Sequence, residues 1–263
     1  MIVPASRAQA GADRWLVALC TRAQPRLRVV ACPAAGGHPG SFRPWGPLLG
    51  PEVELLAMHA PGRLGRLDEA PLCSLEAIAA AVRAALPQDD VPLALLGHSF
   101  GAHVAYEVAC DLAALGRPPA ALVVAGARAP GRNSGRDLRG LADDELIAEL
   151  RTLGGVPAAV WRHAAFVKRL LPSLRADLLA LERHSRTPRA PLATPLLVLA
   201  GDRDPLVPIA DALAWTATAV TARAEVLPAG HFVLDEARAD AATAITRHLD
   251  ACVAHDDCEA ACA

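Results

Sequence analysis

Aromatic side chains are scarce: four Phe, four Trp and one Tyr in 263 residues. A core must therefore be built mainly from Ala, Leu and Val, and with 53% apolar residues the chain can bury a sizeable one. Lysine is nearly absent, Lys168 being the only one, so positive charge is carried by arginine. No sign of charge dominates: 26 basic against 28 acidic residues leave a net charge of −2. That excludes a nucleic-acid binder held by phosphate contacts, which needs a clustered basic excess. Residues 1–14 lack the apolar stretch of ~7–15 residues that a secretory leader requires, and the run Trp15–Cys20 is too short to serve. No apolar run reaches the ~18 residues of a membrane span. These absences predict a cytoplasmic protein with neither a nucleic-acid nor a membrane partner.

Seven cysteines are an odd number in a long chain without an export signal, so a disulfide framework is not expected. Cys20, Cys32, Cys73 and Cys110 sit among apolar residues and read as small core side chains. Cys252, His255, Cys258 and Cys262 recur every three or four residues near the end of the chain. Such a cluster can bind zinc, but this spacing matches no structural zinc pattern, and the segment reads as a frayed tail with free thiols.

What is present is an alternation of short apolar runs with longer helical patterns, the mark of an α/β fold with a mostly parallel sheet covered by helices. Strands are predicted at Arg26–Cys32, Val53–Met58, Pro92–Leu96, Ala120–Ala125, Pro195–Ala200 and Ala224–Leu227. Helices are predicted at Leu75–Leu86, capped by Ser74, at Ala102–Leu115, stopped by Gly116, and at Asp235–Asp250. Residues 141–185 break the alternation with a helical stretch from Leu141, a break at Gly154-Gly155 and two further helical segments. They read as a helical lid inserted into one domain spanning residues 1–250, with 251–263 as a tail.

The strongest chemical signal is Gly97-His98-Ser99-Phe100-Gly101, which follows the run Pro92–Leu96 and precedes a helix. Strand, G-x-S-x-G, helix is the context of a nucleophile elbow: the turn is so tight that the residues two away from the serine must lack side chains. Ser99 would then present its Oγ at a helix N-terminus, where developing negative charge is favoured. An alcohol needs a base, and the base needs an orienting acid. Along the chain the order in this architecture is serine, acid, histidine. Two aspartates follow Pro195–Ala200; Asp204 is preferred as the acid because Asp202 lies closer to the strand end and suits a turn. His231, in Gly230-His231-Phe232 after Ala224–Leu227, is the candidate base. His98 is adjacent to Ser99 and directed away, and His59 is a weaker rival in a loop. Oxyanion donors are expected from the N–H of Phe100 and of a residue in Cys32-Pro33-Ala34-Ala35-Gly36-Gly37, Ala35 before Ala34.

These residues, with several others in order, resemble the type II thioesterases, the free-standing editing enzymes of polyketide and nonribosomal peptide synthesis with an α/β-hydrolase fold. The resemblance covers residues 27–250. Besides the elbow it rests on Pro33-Ala34-Ala35-Gly36-Gly37 with Ser41-Phe42-Arg43-Pro44-Trp45, on Ala60-Pro61-Gly62-Arg63, and on Arg128-Ala129-Pro130. It continues through Leu141–Glu145 leading to Leu153–Pro157, through Leu171–Asp177, and through Gly201–Pro205 and Gly230–Phe232. The resemblance implies a serine hydrolase that cleaves acyl thioesters from the phosphopantetheine arm of carrier-protein domains, with Ser99, Asp204 and His231 as the triad. No metal and no cofactor is implied, since phosphopantetheine arrives with the partner. The same acyl-enzyme could instead serve an acyltransferase; a carboxylesterase and a non-catalytic carrier-binding scaffold are further readings. The family usually carries aromatics at Cys32 and Ala34, so their absence here is expected to widen the entrance or alter acyl preference. It also commonly has glycine at Ala229.

Overall fold

A computed structural model describes residues 14–132, 138, 140–154, 162–184 and 189–262, the side chains of 255–262 excepted. Its apolar runs pair into a seven-stranded sheet: β1 (Leu16–Cys20), β2 (Leu27–Cys32), β3 (Val53–Met58), β4 (Leu93–His98), β5 (Ala121–Ala125), β6 (Leu196–Gly201) and β7 (Ala222–Leu227). The spatial order is β1-β3-β2-β4-β5-β6-β7, parallel throughout except for β1, which runs antiparallel to β3. β2, β5 and β6 are buried at every position, which is why they read as continuous apolar runs and not as alternation: both faces of the sheet are covered. Successive side chains still part to opposite layers, Val29, Leu55, Leu96 and Val123 to one and Val30, Leu56, Leu95 and Leu122 to the other.

The helices are α1 (Leu75–Ala84), α2 (Phe100–Ala114), α3 (Asp143–Leu153), α4 (Ala164–Arg183), α5 (Ile209–Leu213), α6 (Val233–Glu236) and α7 (Arg238–Cys262), with 3-10 helices at Pro39–Trp45 and Ala214–Thr218. The Ser74 hydroxyl accepts the Ala77 N–H at 3.1 Å, the expected cap of α1. α1, α2 and Trp215 cover one face of the sheet; Trp45, Phe42 and α7 (through Ile245, Leu249 and Val253) cover the other. Among the described residues the core aromatics Phe42, Trp45, Phe100, Tyr106 and Trp215 all lie on the helical layers, and the strands supply mainly Ala, Leu and Val.

Three expectations change. β1 is an additional strand: its five apolar residues were too few for a leader but suffice for a half-buried edge, with an irregular register between Ala18 and Cys20. After Gly154, the described residues include one long helix, α4, with Pro172 accommodated inside it; the stretch 155–161, where a further segment is expected to begin, lies outside the described residues. α7 passes through the boundary expected at Asp250, because Cys252 and Val253 are buried against the core and extend its packing face. Cys73 is exposed and Cys20 and Cys110 are half-buried; of that group only Cys32 is a true core residue. The side chains of His255, Cys258 and Cys262 lie outside the described residues, and among those described no group of three or more metal-binding side chains forms.

Candidate active site

β4 ends in a backbone that few residues can adopt. Ser99 has φ 53° and ψ −116°, the one non-glycine residue with positive φ among those described. Such a conformation costs on the order of 1–3 kcal/mol and survives where the surroundings over-determine it. Here the Ser99 N–H is held by the Ala125 carbonyl of β5 at 2.8 Å, and the Ser99 carbonyl accepts the Ala102 N–H at 3.0 Å. Gly97 and Gly101 are required for different reasons. A Cβ on Gly97 would stand 2.3 Å from the Gly101 carbonyl oxygen and the Ala102 Cα, within the turn itself. A Cβ on Gly101 would stand 2.0 Å from the carbonyl oxygen of Cys32, on the neighbouring strand. The second glycine therefore seats the helix against β2.

The structure brings Ser99, His231 and Asp204 together. The Ser99 hydroxyl lies 3.0 Å from His231 Nε2, and His231 Nδ1 lies 2.9 Å from Asp204 Oδ2. A ring nitrogen facing a carboxylate carries the proton, so Nε2 is left to accept from the serine. Asp204 Oδ1 accepts the N–H groups of Leu206 and Val207 at 2.8 and 3.0 Å. Burial pushes this carboxyl up, but the hydrogen bonds from His231, Leu206 and Val207 outweigh it and hold its pKa below the usual range. Asp202 is exposed and binds the Ala229 N–H at 3.0 Å, a turn contact that ties the end of β6 to the histidine loop. Gly201 lets that loop close in, since a Cβ there would meet the Gly230 carbonyl at 2.3 Å. His59 instead donates from Nε2 to the Leu64 carbonyl at 2.8 Å.

His98 has a role that the sequence did not disclose. Its side chain is turned toward the histidine loop, where Nε2 donates to the His231 carbonyl at 2.9 Å while the ring packs edgewise on Phe232. Burial, followed by repulsion from His231, lowers its pKa to about 4, so it stays a neutral prop under the His231 backbone. Adjacency to the serine hid this, because a residue beside a strained turn points where that turn sends it.

Phe100 opens α2, so its N–H is among those that a helix leaves without an intrahelical acceptor. Ala35 lies on the loop after β2, where the Gly37 N–H closes a four-residue turn on the Ala34 carbonyl at 2.8 Å. This loop forms one wall of an apolar cavity of about 290 Å³. Ala34, Ala35, Phe42 and Trp45 line that side, and Leu150 of α3 with Val167, Leu171 and Leu174 of α4 line the other. Cys32 does not widen the entrance: it is fully buried in the same layer as Phe100, and burial pushes its thiol up to about 12. Of the two positions without an aromatic, only Ala34 borders the cavity.

The chain matches the Thioesterase family, described as a thioesterase domain, over residues 27–252. It belongs to that family. This thioesterase is 36% identical over 229 residues to thioesterase PikA5 of Streptomyces venezuelae, a match covering 85% of this chain and 81% of PikA5. It is 32% identical over 250 residues to a probable cadicidin biosynthesis thioesterase of Streptomyces griseus, covering 94% of this chain and 66% of that protein. It is 38% identical over 212 residues to the AMB antimetabolite synthetase AmbE of Pseudomonas aeruginosa, of which it spans 10%. Among solved structures it superposes on RedJ, a thioesterase from the prodiginine pathway of Streptomyces coelicolor, with TM-score 0.79 and 38% identity, covering 85% of this chain and 91% of RedJ. YbtT, a type II thioesterase from the yersiniabactin pathway, gives TM-score 0.81 and 31% identity, covering 91% and 99%. The resemblance to type II thioesterases and the α/β-hydrolase fold are both borne out. No described helix of this thioesterase is long and apolar enough to cross a membrane.

Proposed function

We propose that the protein is an editing thioesterase that hydrolyses acyl groups held as thioesters on the phosphopantetheine arms of carrier-protein domains, with Ser99, His231 and Asp204 as its catalytic triad. The observation that carries this reading is the continuous hydrogen-bonded chain from Ser99 Oγ through His231 to Asp204, beside an apolar cavity able to take an acyl chain. Ser99 Oγ attacks the thioester carbonyl as His231 Nε2 takes its proton. The oxyanion is held by the N–H groups of Phe100 and Ala35. His231 returns the proton to the departing thiol, then activates the water that releases the acid from Ser99. Asp204 keeps the His231 tautomer and stabilises its charged form, and neutral His98 adds no positive charge beneath it. α3 and α4 act as the lid: they supply the cavity's outer wall, and their apolar side chains shield the acyl chain from water.

The test is Ser99→Ala assayed on a carrier protein loaded with a radiolabelled acyl group. Release of free acid is expected to fall by about 10⁴-fold or more, with the circular dichroism spectrum unchanged. Turnover retained by this variant would remove Ser99 from the nucleophile's role.

A further inference from the structure

Asp177 is fully buried on α4, far in sequence from the elbow, and its carboxylate is shared between two elements. Both oxygens accept from Nη2 of Arg63, at 2.6 and 2.7 Å, and Oδ2 also accepts the Gly36 N–H at 2.7 Å. Arg63 is only 2% exposed, and its Nε has no hydrogen-bond partner among the described residues. Burying two charges and an unpaired donor is costly, and an apolar pair of similar volume commonly serves stability as well or better. Packing alone therefore gives little reason for this pair; the third partner, Gly36, supplies one.

Gly36 occupies the third position of the turn that Gly37 closes on Ala34, and its φ of +68° falls in the left-handed region while Ala35 has no positive φ. That combination belongs to the type II turn, which differs from type I by inversion of its central peptide, here the one joining Ala35 to Gly36. The N–H of that same peptide is what Asp177 grips. Leu174, one helical turn earlier on α4, closes the other side: a Cβ on Gly36 would come within 3.3 Å of its own Cβ. We infer that Asp177, itself held by Arg63, is a positioning residue that anchors the Ala34–Gly37 turn to α4 and thereby fixes where the adjoining Ala35 N–H stands at the oxyanion, so that the lid helix α4 sets the geometry of the oxyanion hole. This rests on the reading of Ser99 as nucleophile and Ala35 as donor. Neither Asp177 nor Arg63 touches the reacting atoms.

An oxyanion donor acts on the transition state far more than on the bound substrate, so displacing it lowers kcat and spares KM. The test is Asp177→Asn, which keeps the shape but in either amide orientation turns an NH2 donor on Arg63 or on the Gly36 N–H, and so cannot hold both as the carboxylate does. With an acyl N-acetylcysteamine thioester, kcat is expected to fall about tenfold to a hundredfold while KM stays within about twofold. Affinity for an alkyl trifluoromethyl ketone, which forms a tetrahedral adduct on a serine, should fall in parallel, and affinity for the product acid should not. Wild-type kcat in folded Asp177→Asn overturns the inference, as does a loss that appears in KM and product binding alike. If Asp177→Asn fails to fold, the double variant Arg63→Met/Asp177→Leu removes both charges, and it should fold and keep the kcat defect because Gly36 is still unheld; full activity there overturns the proposal. Ser99→Ala run alongside separates the two levels. An inert Ser99→Ala beside a fully active Asp177→Asn sinks this inference alone, whereas a Ser99→Ala that turns over sinks the nucleophile reading and this inference with it.

Discussion

Around Ser99 the backbone is held by steric exclusion and strand pairing, whereas α3 and α4 above it are held by an apolar cluster of their own, Leu146, Leu171 and Leu174, together with a set of ion pairs. The elbow packs on buried apolar strands, and its shape depends on two glycines with no room for a methyl group. α4 is tied by Asp177 to Arg63, by Arg169 to Asp68, by Arg175 to Asp143 at the start of α3, and through His184 at its C-terminal end to Glu76 and Glu107. The difference teaches where each region is vulnerable. The elbow should be indifferent to salt and intolerant of volume, and the helices tolerant of apolar exchange and sensitive to loss of a single charge.

The largest effect should come from adding one methyl to the elbow. Gly101→Ala places a Cβ 2.0 Å from the Cys32 carbonyl oxygen, where backbone and not a flexible side chain must yield. Loss of about 3 kcal/mol or more of stability is expected, at the upper end of what overpacking costs, together with loss of turnover. A urea denaturation midpoint close to wild type would break the comparison, by showing that α2 can slide away from β2.

Most of this contrast was legible in the sequence on one side only. The elbow announces itself because a sterically forced turn permits few residues: glycine at two positions and a serine between them. Asp204 and His231 follow from chain order and from the strands that precede them. The strands were legible because both faces of the sheet are buried, so apolar runs and strands coincide. The helices over the site were legible as helices but not in how they attach, because an ion pair such as Arg63–Asp177 joins residues 114 apart and leaves no local periodicity. β1 escaped for a similar reason: an edge strand of five residues has no turn chemistry of its own and takes its identity from β3. The role of His98 was hidden by its position, since G-x-S-x-G places no demand on the second residue that a reader could decode.

The next largest effect tests which aspartate serves His231. Asp204→Asn should lower kcat by about 10⁴-fold, since an amide can hold the wrong imidazole tautomer in place. Asp202→Asn should cost only a few-fold, because its one backbone contact, the Ala229 N–H, can still be accepted by an amide oxygen. A larger loss at Asp202 would reverse the assignment and would mean that the histidine loop, not the acid, limits the elbow's activity.

The smallest effect is the most direct measure of the contrast, because each region contains a buried histidine and their pKa shifts have opposite signs. His98, beneath the elbow, is lowered to about 4 by burial and by His231. Its folded-state pKa lies below the unfolded value of about 6.5, so its contribution to stability is present above that pH and is lost as pH falls toward 4. His184, at the end of α4, is raised: the hydrogen bond to Glu107 dominates, burial opposes it, and Glu76 adds to the rise, with Arg189 paired to the other oxygen of Glu107. Its contribution is complete below the unfolded value and is lost as pH climbs through the raised folded value. Thermal melts across pH should therefore fall away on both sides, with His98→Gln flattening the acid limb and His184→Gln the alkaline one. Each change should amount to a few degrees, at about 2–4 °C per kcal/mol for a chain of this size. If His184→Gln left the alkaline limb intact, α4 would not be anchored by charge at that end, and its hold on the fold would have to come from the apolar wall it shares with the cavity.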